Sequence, residues 1–428
     1  MKGARAGCRG AGCGAVHVLP GREHDHGAVA SNVSTCTAPH PAPLHPARAP
    51  LIIDVAICGA GPAGSIAALV LARAGARVMV FDRAVFPRDK LCGDTLNPGA
   101  LAILDRLGLT CAAATGLPIY GMVVTGEGDL RIEGTYGDGA CGRALTRRVL
   151  DQALLTAASA AGAQVEEGVL VRGPLLDSSS SAPRVTGLAV LGRAGPVRVK
   201  ARVVVAADGR HSRVARELGL ARHPPTPRRW AVGGYFDGVA GLRMFGEMHV
   251  RRGRYIGLAP LPGGLANVCV VTADRTSLAD PPTFLMRAVR EEPMLAERLE
   301  AATLVAPAVC MGPMAVECAT PGAPGLLLAG DAAGFIDPMT GDGMRFALRG
   351  GELAAEAALH ALQHGAAESH LRLMDACRRE FAAKWRFNRA LRMLVGSAVT
   401  VRLAGLGASI APRVIQQAIR YAGDLRAV

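Results

Sequence analysis

Residues 51–83 read LIIDVAICGAGPAGSIAALVLARAGARVMVFDR, and the fold turns on them. The apolar run Leu51 to Cys58 predicts a buried strand, about Ala63 to Ala74 a helix, and Ala76 to Asp82 a second strand. The turn between strand and helix is Gly59-Ala60-Gly61-Pro62-Ala63-Gly64, with the spacing GxGxxG. Gly59 makes the tight turn, Gly61 lets backbone approach a pyrophosphate, and Gly64 lets the helix pack on the strand. The helix start then offers free N–H groups and the positive end of its dipole to the phosphates. Asp82 stands 18 residues beyond Gly64, followed by Arg83, where a carboxylate can accept hydrogen bonds from ribose hydroxyls. This unit predicts an α/β, Rossmann-like dinucleotide-binding domain.

Two later segments share one feature. Residues 203–216, VVVAADGRHSRVAR, predict a strand running into Asp208-Gly209 and a helix starting at Ser212. Residues 325–358 predict a buried strand ending at Gly330-Asp331, a loop with Pro338, Gly341 and Gly343, and a long helix. An acid-glycine pair at a strand's carboxyl end marks the crevice where a parallel sheet takes its ligand. The glycine-rich loop could pass close to a flat ligand, with the next helix aimed at it.

Composition narrows the class. No run of about 20 uncharged apolar residues occurs among the 428, so no transmembrane helix is expected. Eleven cysteines form no CxxC pair, a pattern that fits a reducing cytoplasm, and Cys58 and Cys269 sit in apolar stretches as core residues would. The net charge is +13, and residues 371–428 hold eleven basic residues against three acids. With aromatics at 4% and no nucleic-acid motif, no nucleic-acid partner is expected. Residues 1–50 are Gly, Ala, Pro and His without period, lack a signal peptide's apolar core, and predict a disordered extension. Their His and Cys spacings match no zinc template, so no metal is expected.

The trio GAGPAG…DR, AADGRHS and AGDAAGFIDPMTGDG resembles the flavoprotein superfamily of aromatic hydroxylases, geranylgeranyl reductases and flavin-dependent halogenases, over about residues 51–360. The resemblance implies FAD, with Gly59, Gly61, Ala63 and Gly64 at the pyrophosphate and Asp82 and Arg83 at the adenosine end. It places Gly330 and Asp331 at the ribityl chain and the backbone Pro338, Gly341 and Gly343 beside the isoalloxazine. Asp208 and Gly209 resemble a segment that serves FAD and, in hydroxylases, the nicotinamide donor. Arg147-Arg148-Val149-Leu150-Asp151 resembles the R-x-x-(F/L)-D helix start near FAD, which implies a cofactor contact for Arg147, with Arg143 the other candidate. A solvated helix is the plainer reading of that stretch.

FPRDKLCGDTLNPGA, residues 86–100, resembles the P-R-x-K-x-C-G segment of the geranylgeranyl reductase-like branch. That implies Cys92 near the flavin's reactive edge, with Arg88 and Lys90 stabilising reduced flavin or orienting a polar head. Beside two cations the thiol is expected to have a lowered pKa and to act as a proton donor; a passive cavity wall is the alternative. One departure stands out. Where reductases and halogenases carry Tyr/Trp-x-Trp-x-(Phe/Ile)-Pro, this chain has Tyr255-Ile256-Gly257-Leu258-Ala259-Pro260, which implies a roomier, less aromatic cavity and argues against a halogenase.

No second GxGxxG stands between an apolar strand and a helix, and the glycines of residues 187–199 suit a β-hairpin, so NAD(P)H binds transiently or a protein supplies electrons. The expected organisation is an extension (1–50), a discontinuous FAD-binding domain (51–112, 141–215 and 323–365), an inserted β-rich substrate domain (113–140 and 216–322), and a helical tail (366–428). Tyr255 and Met244 are expected in the core. In FAAKWRFNRALRMLVGSAVTVRL, Phe381, Trp385, Phe387, Leu391 and Leu394 share one helix half and Arg386 and Arg389 the other. The tail is expected to cover the FAD domain, with peripheral membrane contact the alternative. The expected activity is a reductase acting on a hydrophobic isoprenoid- or polyketide-like molecule. Alternatives are an aromatic hydroxylase using NAD(P)H and O2, or a non-redox role like that of lycopene-cyclase-like relatives.

Overall fold

A computed structural model describes residues 53–425, apart from 128–129, 178, 180–182, 227, 276–277, 338, 340 and 396–411. Pro338 and the 1–50 extension lie outside the described residues.

The opening unit is strand β1 (Ile53–Cys58), helix α1 (Pro62–Arg73) and strand β2 (Val78–Asp82). β1 is buried on both faces, as a central parallel strand requires, which is why its sequence is a run of apolar residues without alternation. It pairs in parallel with β2 on one side and with Gly195–Ala206 on the other. Gln164–Glu167 and Leu326–Leu328 extend the parallel set beyond β2 and beyond Gly195–Ala206. Three helices cover one face: α1, Arg147–Ala160 and Gly343–His364 bury Ile66, Leu69, Leu150, Leu154, Leu348 and Leu353 there. The other face is covered by an antiparallel meander, Leu170–Asp177, Arg184–Gly192 and Gly195–Ala206, which includes the expected hairpin.

A second eight-stranded sheet is built mainly from Trp230–Asp237, Gly246–Arg251, Arg254–Pro260 and Ala266–Thr272, all antiparallel neighbours, with Gly121–Thr125 added in parallel. One face packs on helix Pro281–Arg290 through Val232, Phe236, Ile256, Val268 and Val270. The opposite face meets Leu91, Cys92 and Phe335 of the FAD domain. Helix Ser369–Val395 buries Phe381 and packs Trp385 on the helical layer, as a cover does. Met244, expected in the core, is 40% exposed; it sits in a turn, where its carbonyl accepts from Tyr120 N–H at 2.9 Å.

Candidate active site

α1 begins with Pro62 just inside Gly61, has no side-chain cap and no acid in its first turn. Its dipole and free N–H groups are left for an external anion. The three glycines divide the work. Gly59 has φ +97°, and an added Cβ would lie 2.5 Å from the Ala207 carbonyl oxygen. At Gly64 it would lie 1.8 Å from the Gly59 oxygen, so Gly64 serves packing and does not face the ligand space. At Gly61 the nearest atom is an Arg88 guanidinium nitrogen at 3.6 Å, so this backbone is open to the cavity. Gly351 brings the long helix against the same turn, where a Cβ would be 2.2 Å from the Ala63 oxygen, and Gly350 faces the Gly330 nitrogen.

Asp82 accepts from Ala60 N–H and Ala84 N–H, both at 2.8 Å, and lines the cavity with Arg83. Asp208 accepts from Arg213 N–H at 2.9 Å, while its other oxygen is buried without a protein partner. Burial pushes the Asp208 carboxyl up; bonds from Ser212 and the Arg213 amide oppose this. Gly209, Gly330, Asp331, Gly341 and Gly343 line the same space, which has a volume of about 1340 Å³. That exceeds the 300–1,000 Å³ or so typical of a drug-sized ligand. The open Gly61 backbone, the bare helix start and the orphaned Asp208 oxygen fit FAD, with room left for substrate.

Arg88 departs from the expectation that grouped it with the flavin's reactive edge. It lies beside Gly61 and pairs with Asp151 at 3.1 Å, with its guanidinium 4.7 Å from the centre of the Phe86 ring. Arg147 holds the same buried carboxylate bidentately, at 2.6 and 2.8 Å. Two cations on one Asp151 leave a net positive charge where phosphates would lie. Arg147 also fastens the cysteine loop, donating from Nη1 to the Cys92 oxygen (2.7 Å) and from its amide to Asp94 (2.9 Å). Arg143 instead donates to the Gly116 oxygen.

The cysteine loop spans the two sheets. Gly93 has φ +80°, and a side chain there would meet the Met344 sulfur at 2.9 Å. Cys92 and Lys90 are half-buried on the cavity wall. The expected lowering of the Cys92 pKa is not found: burial pushes the thiol up and outweighs the pull of Lys90. Burial and Arg147 push Lys90 down, against Asp331 and Cys92.

Three groups missed in the sequence complete this wall. Asp94 is buried and accepts from Tyr235 Oη (3.0 Å), Asn267 Nδ2 (2.5 Å) and the Arg147 amide. Burial pushes Asp94 up, and those bonds only partly draw it back. Burial and then Asp94 push the Tyr235 phenol up as well. Asp94 stands two residues from Cys92, the only linear cue; its side-chain partners Tyr235 and Asn267 arrive from strands more than a hundred residues away. Opposite, Tyr255 is buried on the cavity wall and donates to Asp337 at 2.5 Å, which also pairs with Arg229 at 3.2 Å. Gly257 and Ala259 follow on the same face of that strand, and a Cβ on Gly257 would meet only the Cys269 oxygen, at 3.9 Å. Cys269 is a half-buried wall residue rather than core. Methionines line the cavity as well (Met122, Met248, Met311, Met314 and Met339), among charged residues that include Arg210, whose guanidinium lies 3.3 Å from the Met314 sulfur, and Glu247.

This is the site of a FAD-dependent oxidoreductase. The FAD-binding-domain family model matches residues 52–386, and the chain belongs to that family, in its geranylgeranyl reductase-like branch. It is 33% identical to the menaquinone reductase of Mycolicibacterium smegmatis over 71% of this chain and 75% of that protein. It is 32% identical to digeranylgeranylglycerophospholipid reductase 1 of Methanopyrus kandleri over 72% and 81%. Among solved structures, a geranylgeranyl bacteriochlorophyll reductase-like protein of Thermoplasma acidophilum superposes with a TM-score of 0.72 at 21% identity, covering 88% of this chain and 99% of that one. A flavin-dependent brominase shares the fold at TM-score 0.76 and 20% identity, over 87% and 93%.

Proposed function

We propose that the protein reduces a hydrophobic, prenylated molecule, a lipid quinone or an unsaturated isoprenoid chain, with electrons from NAD(P)H or a protein donor. The observation that carries this is the continuity of one cavity. The space that takes in the GxGxxG turn and the acid-glycine strand ends also takes in methionines, Tyr255, Gly257 and Ala259, with Arg210 beside Met314. Unbranched methionines adapt to an irregular, flexible chain, and Gly257 and Ala259 leave space where bulk would shorten the pocket. The two named reductase relatives act on substrates of this kind by their names.

FAD bound at the cradle supplies a hydride equivalent. The protein's part is to place the substrate, exclude water and deliver a proton. Cys92 Sγ and Tyr235 Oη are both protonated at neutral pH, since burial raises both, and both line the cavity. Asp94 orients Tyr235, and Arg147 holds Cys92 by its carbonyl. Arg88 neutralises charge at the phosphates.

The test is a flavin spectrum of the purified protein, then anaerobic reoxidation of the reduced flavin by prenylated quinones and polyprenyl lipids. A product heavier by two hydrogens, formed without oxygen, supports reduction. Turnover that requires O2 and yields a hydroxylated product would replace it with the hydroxylase reading.

A further inference from the structure

We propose that the solvent face of helix Ser369–Val395 is a docking surface for an anionic lipid bilayer. Arg372, Arg378, Arg379, Arg386 and Arg389 are exposed on this 27-residue helix, and their spacing confines them to about a third of its circumference. Asp375 is the one carboxylate in that sector. The row cannot rotate inward, because the opposite face buries Leu373, Phe381, Lys384 and Asn388.

Nearby acids do not neutralise it. Glu380 is taken by Arg345 and Arg349, and Glu356 by Arg349. None of the five arginines makes an ion pair among the described residues. The same sector carries two large apolar side chains near the helix's ends, Leu371 at 42% and Met393 at 71% exposure. A stripe about 33 Å long, cationic with apolar groups at its ends, matches a flat anionic interface. It lacks the aromatic residues on which nucleic-acid bases would stack. No helix among the described residues is long and apolar enough to cross a membrane, so the contact is peripheral.

Each arginine near an anionic surface contributes about fivefold in partitioning, so three of them contribute about 100-fold. Flavin-loaded full-length protein should float with phosphatidylglycerol–phosphatidylcholine vesicles and not with phosphatidylcholine alone. Binding should vanish at 1 M salt, where screening acts within about 3 Å. The Arg379→Gln/Arg386→Gln/Arg389→Gln protein should bind about 100-fold more weakly, with flavin content and melting temperature unchanged, and Met393→Asp should weaken binding further. Equal binding to both vesicle types, a triple variant that binds as the parent does, or a variant that loses affinity for duplex oligonucleotide but not for vesicles would each overturn the proposal.

Discussion

Lys384→Met tests how the tail is held. Lys384 is 3% exposed and its ammonium lies 3.3 Å from Asp342, itself 1% exposed, and 3.7 Å from Asp424. It also donates to the Tyr421 and Ala422 carbonyls at the end of helix Pro412–Ala422. Breaking one side of a buried pair costs about 3–5 kcal/mol. Asp342 keeps Asn97 and Asn388, at 3.0 and 3.1 Å, so about 3 kcal/mol is expected. With about 2 cal/mol/K of unfolding entropy per residue, each kcal/mol shifts the midpoint of a chain this size by roughly 1.3 °C. The melting temperature should fall by about 4 °C. If the last helix undocks alone, the loss appears instead as faster tryptic cleavage at Arg413 and Arg420. Asp342 stands between Gly341 and Gly343, so FAD should dissociate faster in either case. Arg386→Met, exposed on the same helix, is the control. Should Lys384→Met match that control in midpoint, cleavage and flavin release, the buried latch does not exist.

Gly61→Val should fold but lose FAD, since its side chain finds open space at the phosphate position; Gly64→Val, 1.8 Å from backbone, should fail to fold. A flavin-replete Gly61→Val protein would contradict the cradle. Cys92→Ser should keep FAD, and a turnover loss of about 10²–10⁴-fold would mark a proton donor; an unchanged rate would leave Cys92 as wall and the proton to Tyr235. Burial pushes Glu247 up, but His249 and Arg298 overcome this and hold it at about 2, against 4.5 when free. Its folded pKa is depressed, so its stabilisation is complete above pH 4.5 and is lost as pH falls toward 2. The parent should therefore lose about 3 kcal/mol more than Glu247→Gln across that window in acid denaturation; parallel curves would refute the assignment.

What could be read from the chain was local. The GxGxxG turn, the acid at the end of β2 and the two acid-glycine strand ends each lie within one strand–turn–helix unit, where spacing dictates geometry. Arg88 shows the limit. Its neighbours in sequence, Lys90 and Cys92, point to one catalytic group, yet adjacency fails because the loop turns Arg88 back to Asp151 and leaves Cys92 facing the sheet. The pKa of Cys92 is hidden for a related reason: two nearby cations are visible in sequence, but the desolvation that outweighs them comes from a sheet more than a hundred residues away. Asp94, Tyr235 and Asn267 meet only when the second sheet closes on the first.

That closure also explains why the cavity joins two chemistries. The FAD domain contributes backbone, glycine and charge, which a dinucleotide needs. The second sheet contributes alternating side chains, and on its inner face Tyr255, Gly257 and Ala259 line the cavity, with open space at Gly257. Asp94 couples the halves, since its carboxylate takes one bond from the helix that holds the cysteine loop and two from the sheet. A substrate that displaces the sheet therefore moves the carboxylate that orients Tyr235. Any shift of the sheet against the helix is thus felt at one buried acid.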